Sequence, residues 1–136
     1  MKDLSILKPV IAQAALIFAL LFWMAFVRFK AWGTPDVVRG EPGTRPVWKG
    51  RAGHVSNAFH NQLEMPMLFF AVCAFALIAD QAGGVFVTLA WVYVAFRVLQ
   101  AVIHTTYNFI PHRFFAYLLG NAVLAAMWVT LALRIL

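Results

Sequence analysis

Four long apolar segments constrain the fold of this chain more than any other feature of its sequence. They cover about residues 9–31, 52–79, 85–107 and 112–133. Each is close to or above the roughly 20 residues that a helix needs to cross the hydrocarbon core of a bilayer. The stretch over residues 33–50 holds three of the six prolines and much of the charge, so it is expected to be an aqueous loop. The sequence therefore predicts an all-α membrane protein, a four-transmembrane-helix bundle that forms a single domain over residues 1–136.

The composition agrees with a bilayer environment. Hydrophobic residues make up 63% of the chain and charged residues 12%, whereas a soluble domain is about a quarter charged. The net charge of +6 comes mainly from basic residues at the ends of the apolar segments, which suits anionic lipid headgroups better than nucleic acid. The single cysteine, Cys73, excludes an intrachain disulfide and a cysteine zinc site, so no metal site is predicted.

The basic residues also predict an orientation, because cytoplasmic loops are enriched in lysine and arginine. Loops one and three share one side of the membrane, and both termini share the other. The loop side carries seven basic residues near the helix ends and the terminal side carries three: Arg28, Lys30, Arg39, Arg45, Lys49, Arg51 and Arg113 against Lys2, Lys8 and Arg134. We therefore expect loops one and three in the cytoplasm and both termini outside.

Two charged residues lie deep inside apolar segments, where a charge is costly. Glu64 lies roughly 18 Å from the cytoplasmic end of the second segment, and Arg97 lies roughly 15 Å from that end of the third, by helical rise. Both are thus expected near the midplane. An ion pair between Glu64 and Arg97, within one chain or between two, is the cheapest way to keep both charged.

Each of these charges heads a polar stripe. On the second helix, Asn57, Asn61 and Glu64 recur at spacings of four and three, with His60 beside them. Spacings of three and four place side chains on one helical face. The third helix repeats the pattern at spacings of three, four and three through Arg97, Gln100, His104 and Tyr107, and Arg113 begins the fourth helix at the same end.

Lipid cannot satisfy such groups, so the two stripes are expected to face each other or a neighbouring subunit and to line a cleft that opens toward the cytoplasm. A purely structural interpretation stays open, because polar side chains often only join transmembrane helices. In that case an ion pair between Glu64 and Arg97 only joins two helices, and the guanidinium of Arg113 extends to the membrane surface.

The segment Asn61-Gln62-Leu63-Glu64-Met65-Pro66 resembles the Asn-x-x-Glu segment of the MAPEG family, the membrane-associated proteins in eicosanoid and glutathione metabolism. Arg97, with polar residues three and seven positions later, and Arg113, sixteen positions later, are similar to the same family. The resemblance covers nearly the whole chain, including four helices with a long first loop and a short second loop. It identifies the chain as a divergent bacterial-type member, which implies a bacterial inner membrane.

The resemblance implies a homotrimer that binds glutathione between neighbouring subunits near the cytoplasmic side. Asn61 and Glu64 match glutathione-contacting residues, Arg97 matches the arginine of the third helix, and Arg113 matches the arginine that activates the thiol. Arg28 or Lys30 matches a basic residue at the end of the first helix. Other positions depart from the eicosanoid enzymes: Asn57 and His60 replace arginines, Gln100 replaces a histidine, and His104 replaces a tyrosine. The predicted substrate-binding set is then Asn57, His60, Asn61, Glu64, Arg97, Gln100, His104, Tyr107 and Arg28, with Arg113 as the catalytic residue.

These residues suit thiol chemistry. The nucleophile is the thiolate, and a nearby guanidinium favours it by lowering the pKa of the thiol. The expected function is a glutathione- or thiol-dependent transferase or peroxidase that acts on hydrophobic electrophiles, with glutathione as cosubstrate and no bound cofactor. The alternative is a non-catalytic scaffold or lipid-binding protein. The hypothesis of a proton or ion pathway has less support than these two, because the polar stripes cover only the cytoplasmic half of the membrane.

Overall fold

A computed structural model describes residues 3–136 as a bundle of long apolar helices. Four spans in it are long and apolar enough to cross a membrane: Leu7–Ala31, Gly50–Ile78, Val85–Thr105 and Ile110–Ile135. The predicted all-α bundle is confirmed, and the chain is an integral, multi-pass membrane protein. The elements in chain order are α1 (Leu7–Ala31), β1 (Val37–Val38), β2 (Val47–Trp48), α2 (Gly50–Glu64), α3 (Pro66–Ile78), α4 (Val85–Thr105) and α5 (Ile110–Ile135).

The second span consists of two helices rather than one continuous helix. α2 ends at Glu64, and α3 begins at Pro66. Proline has no backbone N–H and its ring clashes with the carbonyl four residues earlier, so it interrupts the hydrogen-bond ladder at this point. Met65 between them keeps helical angles, with φ −69° and ψ −30°, so the chain still runs through as one span. Glu64 therefore lies at a helix end, not in mid-helix.

The first loop is folded, which its proline-rich sequence did not predict. β1 and β2 pair antiparallel, with Val37 opposite Trp48 and Val38 opposite Val47. The hairpin packs closely on the start of α2, where a side chain at Gly53 would place its Cβ 2.5 Å from the carbonyl oxygen of Trp48. The Arg28 guanidinium lies 5.0 Å from the centre of the Trp48 ring. The hairpin is thus fixed against both α1 and α2.

Two apolar clusters hold the helices together. The larger joins α3, α4 and α5 around buried side chains such as Phe69, Tyr93 and Met127, and it includes Cys73, which is 2% exposed. The smaller joins α1 to α2 and α4 near the hairpin end, around Leu20 and Val55. Large apolar side chains also cover the outside of α1, including Phe18, Phe22, Phe26 and Phe29. Lipid tails are as apolar as a protein core, so such a surface suits a bilayer.

Buried amides join three helices inside the apolar interior. Gln13 on α1 is fully buried and donates a hydrogen bond through Nε2 to Oε1 of Gln62 at 3.0 Å. Gln62, 1% exposed, in turn donates to the backbone carbonyl of Arg97 at 3.4 Å. In a bilayer interior these amides have no water to bind, so their mutual bonds fix α1, α2 and α4 at one depth.

Candidate functional site

A cleft of about 220 Å³ opens between α2, α4 and the start of α5. We call it the α2–α5 cleft. It brings together four of the residues that the sequence predicted to act together: Asn61, Glu64, Gln100 and Arg113. The remaining lining is an aromatic and apolar wall on α5, made by Ile110, Phe114 and Tyr117. Polar groups from three helices thus converge beside an apolar surface.

Arg113 is held by neutral acceptors. Its Nη1 donates to Oδ1 of Asn108 at 2.8 Å and contacts Nε2 of His104 at 3.1 Å. Asn108 occupies the turn between α4 and α5 with φ +46°, a conformation that asparagine tolerates better than most residues. Within residues 3–136, no carboxylate pairs with Arg113. Its positive charge is therefore left without a negative partner at the cleft.

His104 connects Arg113 to Asn61. The ring is 2% exposed, and its Nδ1 lies 3.4 Å from the side-chain amide of Asn61. A guanidinium can only donate, so Nε2 must accept from Arg113 and the ring proton is on Nδ1. The atom of Asn61 nearest to this nitrogen is Nδ2, which is also a donor, so the amide accepts the ring proton only when it is turned by 180° and Oδ1 takes the place of Nδ2. In that turned orientation the NH₂ group of Asn61 faces away from the histidine and can donate to another group.

Arg97 lies behind the cleft and is completely buried. Its Nη1 donates to Oε1 of Gln100 at 2.6 Å, and its Nη2 donates to the backbone carbonyl of Asn61 at 3.1 Å. The guanidinium carbon lies 5.6 Å and 5.5 Å from the ring centres of Tyr93 and Tyr117. Arg97 therefore positions Gln100 and Asn61 and joins α2, α4 and α5, rather than facing the cleft itself.

The expected Glu64–Arg97 ion pair is not formed within the chain. Glu64 is exposed at the end of α2 and has no ion pair or hydrogen bond within the described residues. Arg97 points instead between two tyrosine rings and takes neutral oxygens as acceptors. The two side chains point in different directions, because Glu64 is exposed at the end of α2 whereas Arg97 is buried between helices. The prediction of an ion pair within one chain is thus wrong, and the carboxylate of Glu64 stays available to another group.

A second and larger cleft, of about 620 Å³, lies between the hairpin, the end of α1 and the start of α2. We call it the hairpin cleft. It takes in three more of the predicted residues, Arg28, Asn57 and His60. Arg28 donates through Nε to Oγ of Ser56 at 2.9 Å. The predicted binding set is therefore divided between two clefts that share one face of α2.

Tyr107 lies apart from both clefts. α4 ends at Thr105, so Tyr107 does not continue the helical stripe. Its side chain is 59% exposed, and its hydroxyl lies 3.1 Å from Nδ1 of His112. It lines a separate, mainly apolar surface with Leu99 and Phe115. The structure does not bring this residue together with the rest of the predicted set.

Three residues in or beside the two clefts were not predicted as site residues. Tyr117 follows Arg113 by four positions on α5, a spacing that places both on one helical face and could have revealed it. Asn108 lies in the connection before Pro111, a common position for an asparagine with positive φ. Arg45, in the first loop, carried no local signal, because only the fold of the hairpin brings it to α2.

No cluster of three or more histidine, cysteine or acidic side chains suited to a metal ion occurs in the part of the chain that the structure describes. The comparison with protein families gives one match, to the model described as the MAPEG family, over residues 6–133. No curated protein and no solved structure matches the chain. The family match covers both clefts and all four spans except the last two residues of the fourth. The expected resemblance is therefore confirmed: the chain belongs to the MAPEG family.

Proposed function

We propose that this protein is a membrane-embedded, glutathione- or thiol-dependent transferase or peroxidase that acts on hydrophobic electrophiles. The observation that carries the proposal is the state of Arg113, a cation held by two neutral acceptors at the mouth of the α2–α5 cleft. The cleft also presents the carboxylate of Glu64, which has no partner within the described chain. A zwitterionic thiol peptide offers an opposite charge to each group. Family membership supports the same proposal.

The chemistry depends on the ionisation of the thiol. A thiol with a pKa of about 8.5 is only about 3% thiolate at pH 7. A guanidinium close to the sulfur lowers that pKa by about one to three units, and a shift of two units makes about three-quarters of the bound thiol reactive. In this proposal Arg113 stabilises the thiolate, Glu64 binds the peptide ammonium, and the NH₂ group of Asn61 donates to a peptide carbonyl.

In the transferase reaction, the thiolate sulfur attacks an electrophilic carbon, a C–S bond forms, and the leaving group departs with the bonding electron pair. The electrophile reaches the sulfur from the bilayer, because the α5 wall of the cleft exposes Ile110 and Phe114, which are 66% and 56% accessible. A peroxide is the alternative electrophile. The thiolate sulfur then attacks one peroxide oxygen, the O–O bond breaks and the other oxygen leaves as an alcohol. A second thiol attacks the sulfur of the resulting sulfenic acid, which releases water and forms the disulfide.

The exposed polar face of α2 supports self-association. Asn57, His60 and Glu64 are all exposed on one side of this helix within a single chain. Because polar side chains do not face lipid at membrane depth, a second copy of the chain is the partner we propose for this face, in a homotrimer as in the family. The excess of basic residues on the hairpin side favours a cytoplasmic position for the clefts. Native mass spectrometry in detergent would give the subunit number.

Equilibrium binding of glutathione to the detergent-purified protein tests the proposal. The variants are Arg113→Ala, Arg113→Lys and Glu64→Gln, and Arg134→Ala removes an arginine from the opposite end of α5 as the matched control. We expect saturable binding to the wild type and the control, and weaker binding to the Arg113→Ala and Glu64→Gln proteins. Titration of the bound thiolate by its ultraviolet absorbance should give a higher thiol pKa in Arg113→Ala and a partly restored one in Arg113→Lys.

Turnover with glutathione and an aryl halide provides the second measurement. Arg113→Ala should lose most of the activity while keeping its oligomeric state. Unchanged turnover in that variant would remove Arg113 from the mechanism. Absence of glutathione binding to the wild type, with lipid retained in the purified protein, would favour the non-catalytic, lipid-binding alternative.

A further inference from the structure

The hairpin cleft has a strongly one-sided charge. Among the described residues, two arginines line it, Arg28 and Arg45, and no aspartate or glutamate does. Arg28 is partly engaged, since its Nε is bonded to Ser56 and its guanidinium stacks over Trp48. Arg45 is exposed and makes no hydrogen bond or ion pair within the described chain. The chemistry that such a cleft recognises is an anionic oxygen group, because guanidinium groups bind carboxylates through charge-assisted hydrogen bonds.

The α2 face supplies no cation of its own in this cleft. The side chains that it contributes are those of Ser56, Asn57 and His60, which hydrogen-bond but carry no fixed charge. A carboxylate in the hairpin cleft would therefore take its countercharge from α1 and from the hairpin. The hairpin places Arg45 there by its register, because Val47, two residues later, is paired with Val38. The close contact at Gly53 then fixes the strand carrying Trp48 against α2.

The distance between the two clefts selects the kind of ligand that could use both. Asn57 lies in the hairpin cleft and Glu64 in the α2–α5 cleft, and seven residues of helix rise about 10 Å. An extended peptide of three residues spans at most about 10 to 11 Å. A tripeptide with its ammonium at Glu64 therefore has its far end at the hairpin cleft, whereas a simple small thiol does not reach it.

We propose that Arg45, together with Arg28, binds the carboxylate at the far end of the thiol peptide and makes the protein selective for a tripeptide thiol over shorter thiols. This inference rests on the proposed function, since it concerns the same cosubstrate. It assigns a specificity-determining role to a hairpin residue outside the transmembrane helices. The hairpin supplies the positive charge that α2 lacks at positions 57 and 60.

Isothermal titration of the intact protein with two ligands tests this role. One ligand is glutathione and the other is its glycine monoethyl ester, which lacks only the far carboxylate. The variants are Arg45→Gln and, as the matched control, Arg39→Gln. Arg39 belongs to the same loop, but its guanidinium stacks over Trp32 at 4.5 Å and does not line the cleft. Arg45 has no partner in the described chain, so its replacement should leave folding intact, which circular dichroism would verify.

We expect Arg45→Gln to weaken glutathione binding about tenfold, the value of one charge-assisted hydrogen bond at an exposed site. It should leave binding of the ester unchanged, and Arg39→Gln should change neither. Equal glutathione binding by Arg45→Gln and wild type would overturn the inference and leave the proposed function standing. An equal loss for both ligands, or an equal effect of Arg39→Gln, would reduce the role to general electrostatics and also overturn it. Failure of the wild type to bind either ligand would overturn the proposed function and the inference together.

Discussion

Replacement of Gln100 by leucine should destabilise the bundle through the arginine that it holds. Arg97 is fully buried, and its shortest hydrogen bond runs from Nη1 to Oε1 of Gln100 at 2.6 Å. In the Gln100→Leu variant this nitrogen stays charged and loses its acceptor. Nε of Arg97 already has no partner in the described chain, so the guanidinium would keep only the carbonyl of Asn61 and the two tyrosine faces.

The magnitude follows from the kind of bond that is lost. A hydrogen bond to a charged group contributes about 1.5 to 3 kcal/mol, and polar contacts in membrane bundles average about 0.6 kcal/mol because the unfolded chain also finds partners. A buried charge has fewer substitutes than a neutral amide, so we expect a loss of about 2 kcal/mol in the free energy of unfolding. That corresponds to about a 30-fold change in the equilibrium constant.

The double variant Arg97→Met/Gln100→Leu provides the sharper test. Removing both partners eliminates the buried charge, and replacing a buried polar pair by apolar groups is often nearly neutral. We expect the free energy of unfolding of the double variant to be within about 1 kcal/mol of the wild-type value. The remaining difference arises because the carbonyl of Asn61 loses the hydrogen bond from Arg97. The single and double effects would then be strongly non-additive.

The assay is reversible unfolding in mixed micelles with increasing sodium dodecyl sulfate, followed by circular dichroism. Gln81→Leu is the matched control, because it makes the same replacement at a glutamine whose side chain has no hydrogen bond within the described residues. A Gln100→Leu protein as stable as the wild type would refute the argument. A double variant less stable than Gln100→Leu would refute it as well, since it would show that Arg97 stabilises the bundle independently of Gln100.

Three further predictions concern the hairpin, the buried amides and the turn before α5. Gly53→Ala should lower the free energy of unfolding by about 1 to 3 kcal/mol and increase proteolysis in the first loop, because its Cβ would lie 2.5 Å from a backbone oxygen; an unchanged denaturation midpoint and cleavage rate would contradict this. Gln13→Leu should lower the free energy of unfolding by less, about 1 kcal/mol in the same assay, because it leaves Oε1 of Gln62 unpaired but also removes the unpartnered buried Oε1 of Gln13. A loss above about 3 kcal/mol would contradict this estimate and indicate a larger hydrogen-bond network. Asn108→Gly should keep the positive φ but release Arg113, lowering turnover about tenfold with little change in stability; full activity would show that the 2.8 Å contact does not position the guanidinium.

The sequence alone determined the four spans and their all-α character. The length and hydrophobicity of a segment are local properties, and the bilayer permits few structures for such a segment. The spacing of polar residues also determined which side chains share a helical face, so the grouping of Asn61 and Glu64 with Gln100 and Arg113 could be predicted. The homotrimer and the orientation remain predictions.

Only the tertiary structure decided where each polar face points. The rotation of a helix about its axis is set by packing against neighbours, which a periodic pattern does not contain. For that reason Glu64 and Arg97, predicted as a pair, point in different directions, and Tyr107 leaves its stripe where α4 ends. The hairpin is the clearest case. It is made of residues with no periodic signal, and only its docking on α2 brings Arg45 to the face that carries Asn57 and His60.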